Sequence, residues 1–145
     1  MIGKLTVIRL SDLTFTQTNL TDIHPDSFEF TPDGKHLYVV SATSGSDAQK
    51  ANARNNIVLL YDTSALPTLT FVKEIAVGVA EGSHRAITLY EKEGKAKLVV
   101  VPNPTDNTVS LIDAETQTVV DTIGVGSEPG AVLVFPLEGD LSHSD

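Results

Sequence analysis

Three valines, Val7, Val58 and Val109, stand 51 residues apart each time in this chain of 145 residues. In register with them fall Leu10, Tyr61 and Ile112, and then Ser11, Asp62 and Asp113. The local stretches 6–11, 57–62 and 108–113 each read as a short strand ending on a polar turn residue. A repeat of this period implies one supersecondary unit stacked on copies of itself, because a unit of that size cannot bury its apolar face alone. That spacing constrains the fold more than any other feature of the chain.

The rest of the unit can be read between these anchors. A second apolar strand follows each one, at 15–20, 71–77 and 119–125. The second and third copies close on Ile75-Ala76-Val77-Gly78 and Ile123-Gly124-Val125-Gly126, where glycine can reverse the chain. A third strand is expected at 27–31, 86–90 and 131–135. Behind it comes Thr31-Pro32-Asp33-Gly34 in one copy and Glu91-Lys92-Glu93-Gly94 in the next. In Pro-Asp-Gly the proline presets φ and the glycine accepts the left-handed position. Fourth strands are expected at 37–40 and 98–101; the second, Leu98-Val99-Val100-Val101, is a continuous apolar run that fits an interior strand.

Naming the strands of a unit A to D, the chain reads C-D-A-B, C-D-A-B, C-D-A. That is about 11 strands with no sustained helical period, an all-β fold of antiparallel four-stranded blades. The expected organisation is one domain over 1–136, made of a C-D half blade at 4–20, a blade at 27–77, a blade at 86–125 and a lone A strand at 131–135. Residues 137–145 read as a tail. The length suits one domain that buries roughly 70% of its unfolded surface.

Net charge is −9, and from Val79 onward there are 11 acidic and 4 basic residues. That balance argues against nucleic acid and anionic lipid as partners, since both need clustered Lys or Arg. With no cysteine, neither disulfides nor thiolate metal sites are available. No apolar run approaches a membrane span and no signal-peptide core is visible.

Phe28-x-Phe30-Thr-Pro-Asp-Gly-Lys-x-Leu-Tyr-Val-Val40 resembles the blade opening of YVTN-type β-propeller repeats. So does Asp106-Asn107-Thr-Val-Ser-Leu-Ile-Asp113, with Thr118-Val-Val-Asp-Thr-Ile-Gly-Val-Gly126 and Glu128-Pro129 behind it. The resemblance runs from about Lys4 to Phe135. It implies a propeller scaffold and an extracytoplasmic setting. It implies no single activity, since the family spans surface-layer proteins, lactonase-like enzymes and redox-enzyme propellers, and one fold hosts many functions.

Fewer than three blades fall short of the roughly four to eight that close a propeller. An open arc exposes apolar faces and an unpaired strand edge, a hazard in water. Three outcomes are open: a piece of a longer protein, an open β-sandwich that hides its ends, or self-association. The favoured partner is a second copy, most simply in a dimer in which the C-terminal A strand of one chain completes the N-terminal C-D pair of the other, each composite blade then lacking a B strand.

Of four histidines, His24 and His84 each lie 10 residues before the turn glycines Gly34 and Gly94. Both are therefore expected at the entrance of an A strand, the strand that lines a propeller's channel. With Asp26 and Arg85 nearby they form the candidate ligand or metal site; the competing reading is a pair of polar loop residues. The long 42–56 segment is the candidate binding loop, with Asp47, Lys50, Arg54 and Asn55 as its polar reach; the competing reading is a disordered insertion. Nucleophile-elbow, Walker and His-Glu-x-x-His patterns are absent. No cofactor is expected, apart from a metal in the histidine alternative. The leading expectation is a non-catalytic binding module. The alternatives are a metal-assisted hydrolase of lactonase type and a structural cell-surface repeat.

Overall fold

The computed structural model describes residues 2–43 and 53–135. They form ten strands: β1 (Ile2–Ile8), β2 (Phe15–Thr21), β3 (Pro25–Phe30), β4 (His36–Ser41), β5 (Ile57–Asp62), β6 (Thr70–Ala76), β7 (Thr88–Lys92), β8 (Lys95–Asn103), β9 (Thr108–Asp113) and β10 (Thr118–Gly124). There is no helix among the described residues. β1 and β2 pair as a two-stranded sheet, β3 to β6 form a four-stranded sheet, and β7 to β10 form another. All ladders are antiparallel between chain neighbours.

Local chemistry sets the turns. Between β3 and β4 the Gly34 N–H donates to Thr31 O at 2.9 Å, and Gly34 takes φ of 70°. The Lys35 N–H is bound by Asp33 Oδ1 at 2.9 Å. After β5 and β9 the repeat aspartates do the same work: Asp62 Oδ1 accepts from the Ser64 N–H, and Asp113 Oδ1 from those of Glu115 and Thr116. An aspartate at the head of a turn satisfies backbone donors that the ladder cannot reach.

Two apolar layers hold the sheets together. Leu20, Ile23, Leu37, Val39, Ile57, Leu59 and Tyr61 join the two-stranded sheet to the middle sheet. Tyr38, Val40, Val58, Leu60 and Ile75 of the middle sheet meet Ile87, Val99, Val101 and Ile112 of the last one. Alternate residues of β4 and β5 thus face opposite layers, as the two-residue period of a strand requires. The central strands of the middle sheet are covered on both faces, which explains why residues 37–40 of β4 and 57–61 of β5 are apolar.

The ladders define which positions are equivalent between sheets. Leu60 and Leu111 are 51 apart; Leu60 pairs with Tyr38 and Leu111 with Val100. Tyr38 pairs with Glu29, and Val100 with Thr88. Phe28 and Phe30, the immediate neighbours of Glu29 and so on the other face, therefore correspond to Ile87 and Leu89. This register is one residue away from that implied by the turn glycines; the β7–β8 ladder is also irregular, since Tyr90 pairs with Leu98 and Glu91 with Ala96, leaving Lys97 of β8 as the extra residue.

The eleventh strand expected at 131–135 does not form. The segment runs beside the start of β7, where the Ala86 N–H donates to Gly130 O at 2.8 Å and Thr88 Oγ1 donates to Val132 O at 2.9 Å. A strand needs a backbone ladder, and a side-chain hydroxyl takes the place of one here. No fourth-unit B strand follows among the described residues to supply it. The expected tail, 137–145, lies outside the described residues.

Candidate functional site

The junction of the two four-stranded sheets gathers three of the four residues expected at the A-strand entrance. Asp26 stands in β3, while His84 and Arg85 stand in the segment leading into β7. Asp26 Oδ1 lies 2.6 Å from His84 Nδ1, and Asp26 Oδ2 accepts the Arg85 backbone N–H at 2.6 Å. The carboxylate is nearly buried whereas the imidazole is largely exposed, at 8% and 76% of the side chain. His24 goes elsewhere: its Nδ1 is 3.1 Å from the backbone oxygen of Ala42, within its own sheet.

Arg85 is 2% exposed. Its guanidinium does not face a cleft. Nε donates to Ser41 O at 2.9 Å, and Nη2 to Ser41 O at 2.6 Å and Asn55 O at 2.9 Å. Nη1 donates to Gly78 O at 2.9 Å, Asn103 Oδ1 at 3.1 Å and Pro102 O at 3.3 Å. All five N–H groups of an arginine are accounted for by protein oxygens. Burial pushes its pKa down to about 10, against the opposing pull of the Asp26 and Asp106 carboxylates. The group ties the ends of β4 and β8 and the segments before β5 and after β6 into one knot.

Sequence reasoning missed Asn103 at this knot. It is fully buried, accepts from Arg85, and donates from Nδ2 to Thr108 Oγ1 at 3.1 Å and Ser110 Oγ at 2.9 Å. The available signal was its place: an amide at the end of an apolar strand, set between Pro102 and Pro104. Asp106 was missed as well; its Oδ2 accepts the Val79 N–H at 2.8 Å.

Asp47 and Lys50 of the candidate binding loop lie outside the described residues. The other two loop residues are engaged. Arg54 forms a two-pronged pair with Glu74, both N–O distances being 2.6 Å, and its backbone N–H donates to Asp22 O. Asn55 Nδ2 donates to Thr43 Oγ1 at 3.2 Å while its carbonyl holds Arg85. Among the described residues no group of three or more His, Asp or Glu is placed to hold a metal ion.

Two apolar openings flank the stack. A trough of about 560 Å3 lies over the outer face of the last sheet, lined by Tyr90, Val100, Val109, Leu111 and Ile123 among others, with Val132, Val134 and Phe135 along its rim. A groove of about 320 Å3 lies between β1 and the middle sheet, lined by Leu5, Val7, Phe28, Phe30, Leu37 and Leu69 among others.

No family model and no curated protein sequence matches this chain. Solved structures do. Hydrazine synthase of Kuenenia stuttgartiensis aligns over 77% of this chain and 26% of its own, at 21% identity and a TM-score of 0.55. A Bacteroides fragilis protein provisionally assigned as a 6-phosphogluconolactonase aligns over 89% of this chain and 35% of its own, at 18% identity and a TM-score of 0.62. The chain spans about a third or less of the length of either. At these identities the likeness concerns the fold: antiparallel four-stranded sheets stacked as propeller-like blades, with two complete blades and one half blade among the described residues.

Proposed function

We propose that this chain is a non-catalytic binding and interaction module, a propeller arc that presents blade faces and is completed by a second copy. The observation that carries this reading is the trough over the last blade. Val109 and Leu111 stand 51 residues after Val58 and Leu60, which are fully buried against the neighbouring blade. The same positions of the last blade line an open trough instead. An apolar surface that has a packed counterpart inside the same molecule is fitted to receive another blade.

The opposite end offers a matching face. Ile8 and Leu10 correspond to Leu59 and Tyr61, which pack on the preceding sheet, yet Ile8 and Leu10 are exposed along with Phe15. That end is mixed in character, because Thr6 and Gln17 pair across the same face. Joining one end to the other is a head-to-tail contact, which gives a ring when the rotation closes. Each copy would supply two full blades and parts of a third, so two copies make six blade positions, within the range of about four to eight that close.

Light scattering on untagged protein at tens of micromolar tests this. The expected mass is twice 15.5 kDa, or 31 kDa. A mass of 15.5 kDa would overturn the reading.

The likeness to a protein assigned as a lactonase favours a second reading, a metal-assisted hydrolase using His84 and Asp26. Metal analysis separates the two. Stoichiometric metal lost on His84→Ala would support the hydrolase, and its absence the module.

A further inference from the structure

The two openings on the arc differ in what they lack, and one segment of the chain has the side chain to fill the smaller one. On one face of the middle blade, Ile87 and Leu89 of β7 pack into the apolar layer; Ile87 is 3% exposed. Their counterparts on the middle blade are Phe28 and Phe30 of β3. These face the half blade, where β1 and β2 stand without inner strands, and Phe28 is 60% exposed. The groove beside them continues directly into the layer that already joins β1 to the middle blade, since Leu5, Leu37 and Leu69 belong to both.

The segment 131–135 has the complementary shape. Val132 and Val134 turn toward the last blade, as Ile87 and Leu89 turn toward the middle one. Leu133 alternates with them and points away from the blade, 82% exposed, while Phe135 lines the trough together with Val132 and Val134. In an arc closed head to tail, this segment stands at the inner position that the half blade of the next copy leaves open. Its outward side chain, Leu133, then faces the outer layer of that copy's middle blade.

We infer that Leu133 of one copy seats in the groove lined by Phe28 and Phe30 of a second copy, so that 131–135 serves as the inner segment of a composite blade. This rests on the self-association proposed above and names its contact. The contact is heterologous: a projecting segment on one chain meets a groove on the other, and each copy carries one of each. Extended segments added beside an incomplete sheet are a recurrent mode of recognition.

Two variants and their mixture test it. Leu133→Asp and Phe28→Asp both alter exposed side chains, so each is expected to keep the wild-type far-UV spectrum. Each alone is expected to lower the mass from 31 kDa to the 15.5 kDa of one chain. An equimolar mixture retains one intact contact and is expected to regain mass as a mixed dimer. Because the chain has no cysteine, Phe28→Cys in one copy and Leu133→Cys in another give a specific cross-link when mixed and oxidised. A wild-type dimer that persists in both aspartate variants and gives no cross-link overturns this contact while leaving self-association standing. A monomeric wild type overturns the self-association itself.

Discussion

Asp26 reaches across the junction of two blades to His84, with Oδ1 2.6 Å from Nδ1, while its other oxygen holds the backbone N–H of Arg85. The two ends of this bridge are not equal. His84 is largely in water and Asp26 is nearly buried, so the carboxylate carries the junction. His84→Ala removes a contact made by a largely exposed side chain and is expected to cost less than about 1 kcal/mol. Asp26→Ala leaves a part-buried N–H without its acceptor and is expected to cost about 1–3 kcal/mol. Urea unfolding of the two variants checks the order; equal losses would contradict this division of labour.

Arg85 is expected to be the most sensitive residue in the chain. Replacing it with Met strands the oxygens of Ser41, Gly78, Asn55 and Asn103 in a buried site, a loss of about 4 kcal/mol or more. Lysine restores the charge but brings three donors on a point-like head in place of five in a planar fork. The expected order of stability is Arg, then Lys, then Met. Denaturant midpoints test it, and an Arg85→Lys variant as stable as the wild type would show that the fork is not what holds the junction.

The repeat made the strands legible. Val7, Val58 and Val109 fall on β1, β5 and β9 because side-chain period and turn chemistry are local properties, written in consecutive residues. Partner choice is not local. His24 and His84 match when counted from their turn glycines, yet one bonds a backbone oxygen at home and the other crosses to Asp26. The β7–β8 ladder shifts at Tyr90, where β8 carries the extra residue Lys97, and no composition rule marks it. Arg85 reads in sequence as part of a candidate ligand or metal site. Its burial depends on carbonyls from four separate segments, which only the folded chain brings together. The strand expected at 131–135 has the right residues and lacks a ladder partner.

Acid is expected to loosen the turns first. Backbone hydrogen bonds from Ser64 to Asp62, and from Thr116 to Asp113, hold both carboxyls below the ordinary aspartate value of 3.8. The folded state therefore releases their protons more readily than the unfolded chain does. The stability this adds is present above 3.8 and is lost as pH falls through the lowered folded values. Asp62→Asn with Asp113→Asn keeps an acceptor at each turn and removes the titration. The double variant is expected to show a flatter melting temperature than the wild type between about pH 5 and 2. Parallel profiles for the two proteins would mean that other groups govern the acid limb.

The paired glycines Gly78 and Gly126 end the same kind of strand, yet substitution is expected to separate them. A Cβ on Gly78 would stand 2.5 Å from Asn103 Cγ and 2.6 Å from Asn103 Cβ. Asn103 cannot retreat, being fully buried and held by Arg85, Thr108 and Ser110. Gly78→Ala is therefore expected to cost about 1–3 kcal/mol, the range for overfilling a packed site. At Gly126 nothing lies within 4 Å of the added carbon, and Gly126→Ala is expected to stay within about 0.5 kcal/mol of the wild type. Neither glycine has a positive φ, so the contrast reports space rather than backbone strain. Thermal melts resolve it, since each kcal/mol moves the midpoint of a chain this size by several degrees. A Gly126→Ala loss matching that of Gly78→Ala would mean that a neighbour outside this chain's described residues packs on the last blade as closely as Asn103 packs on the middle one.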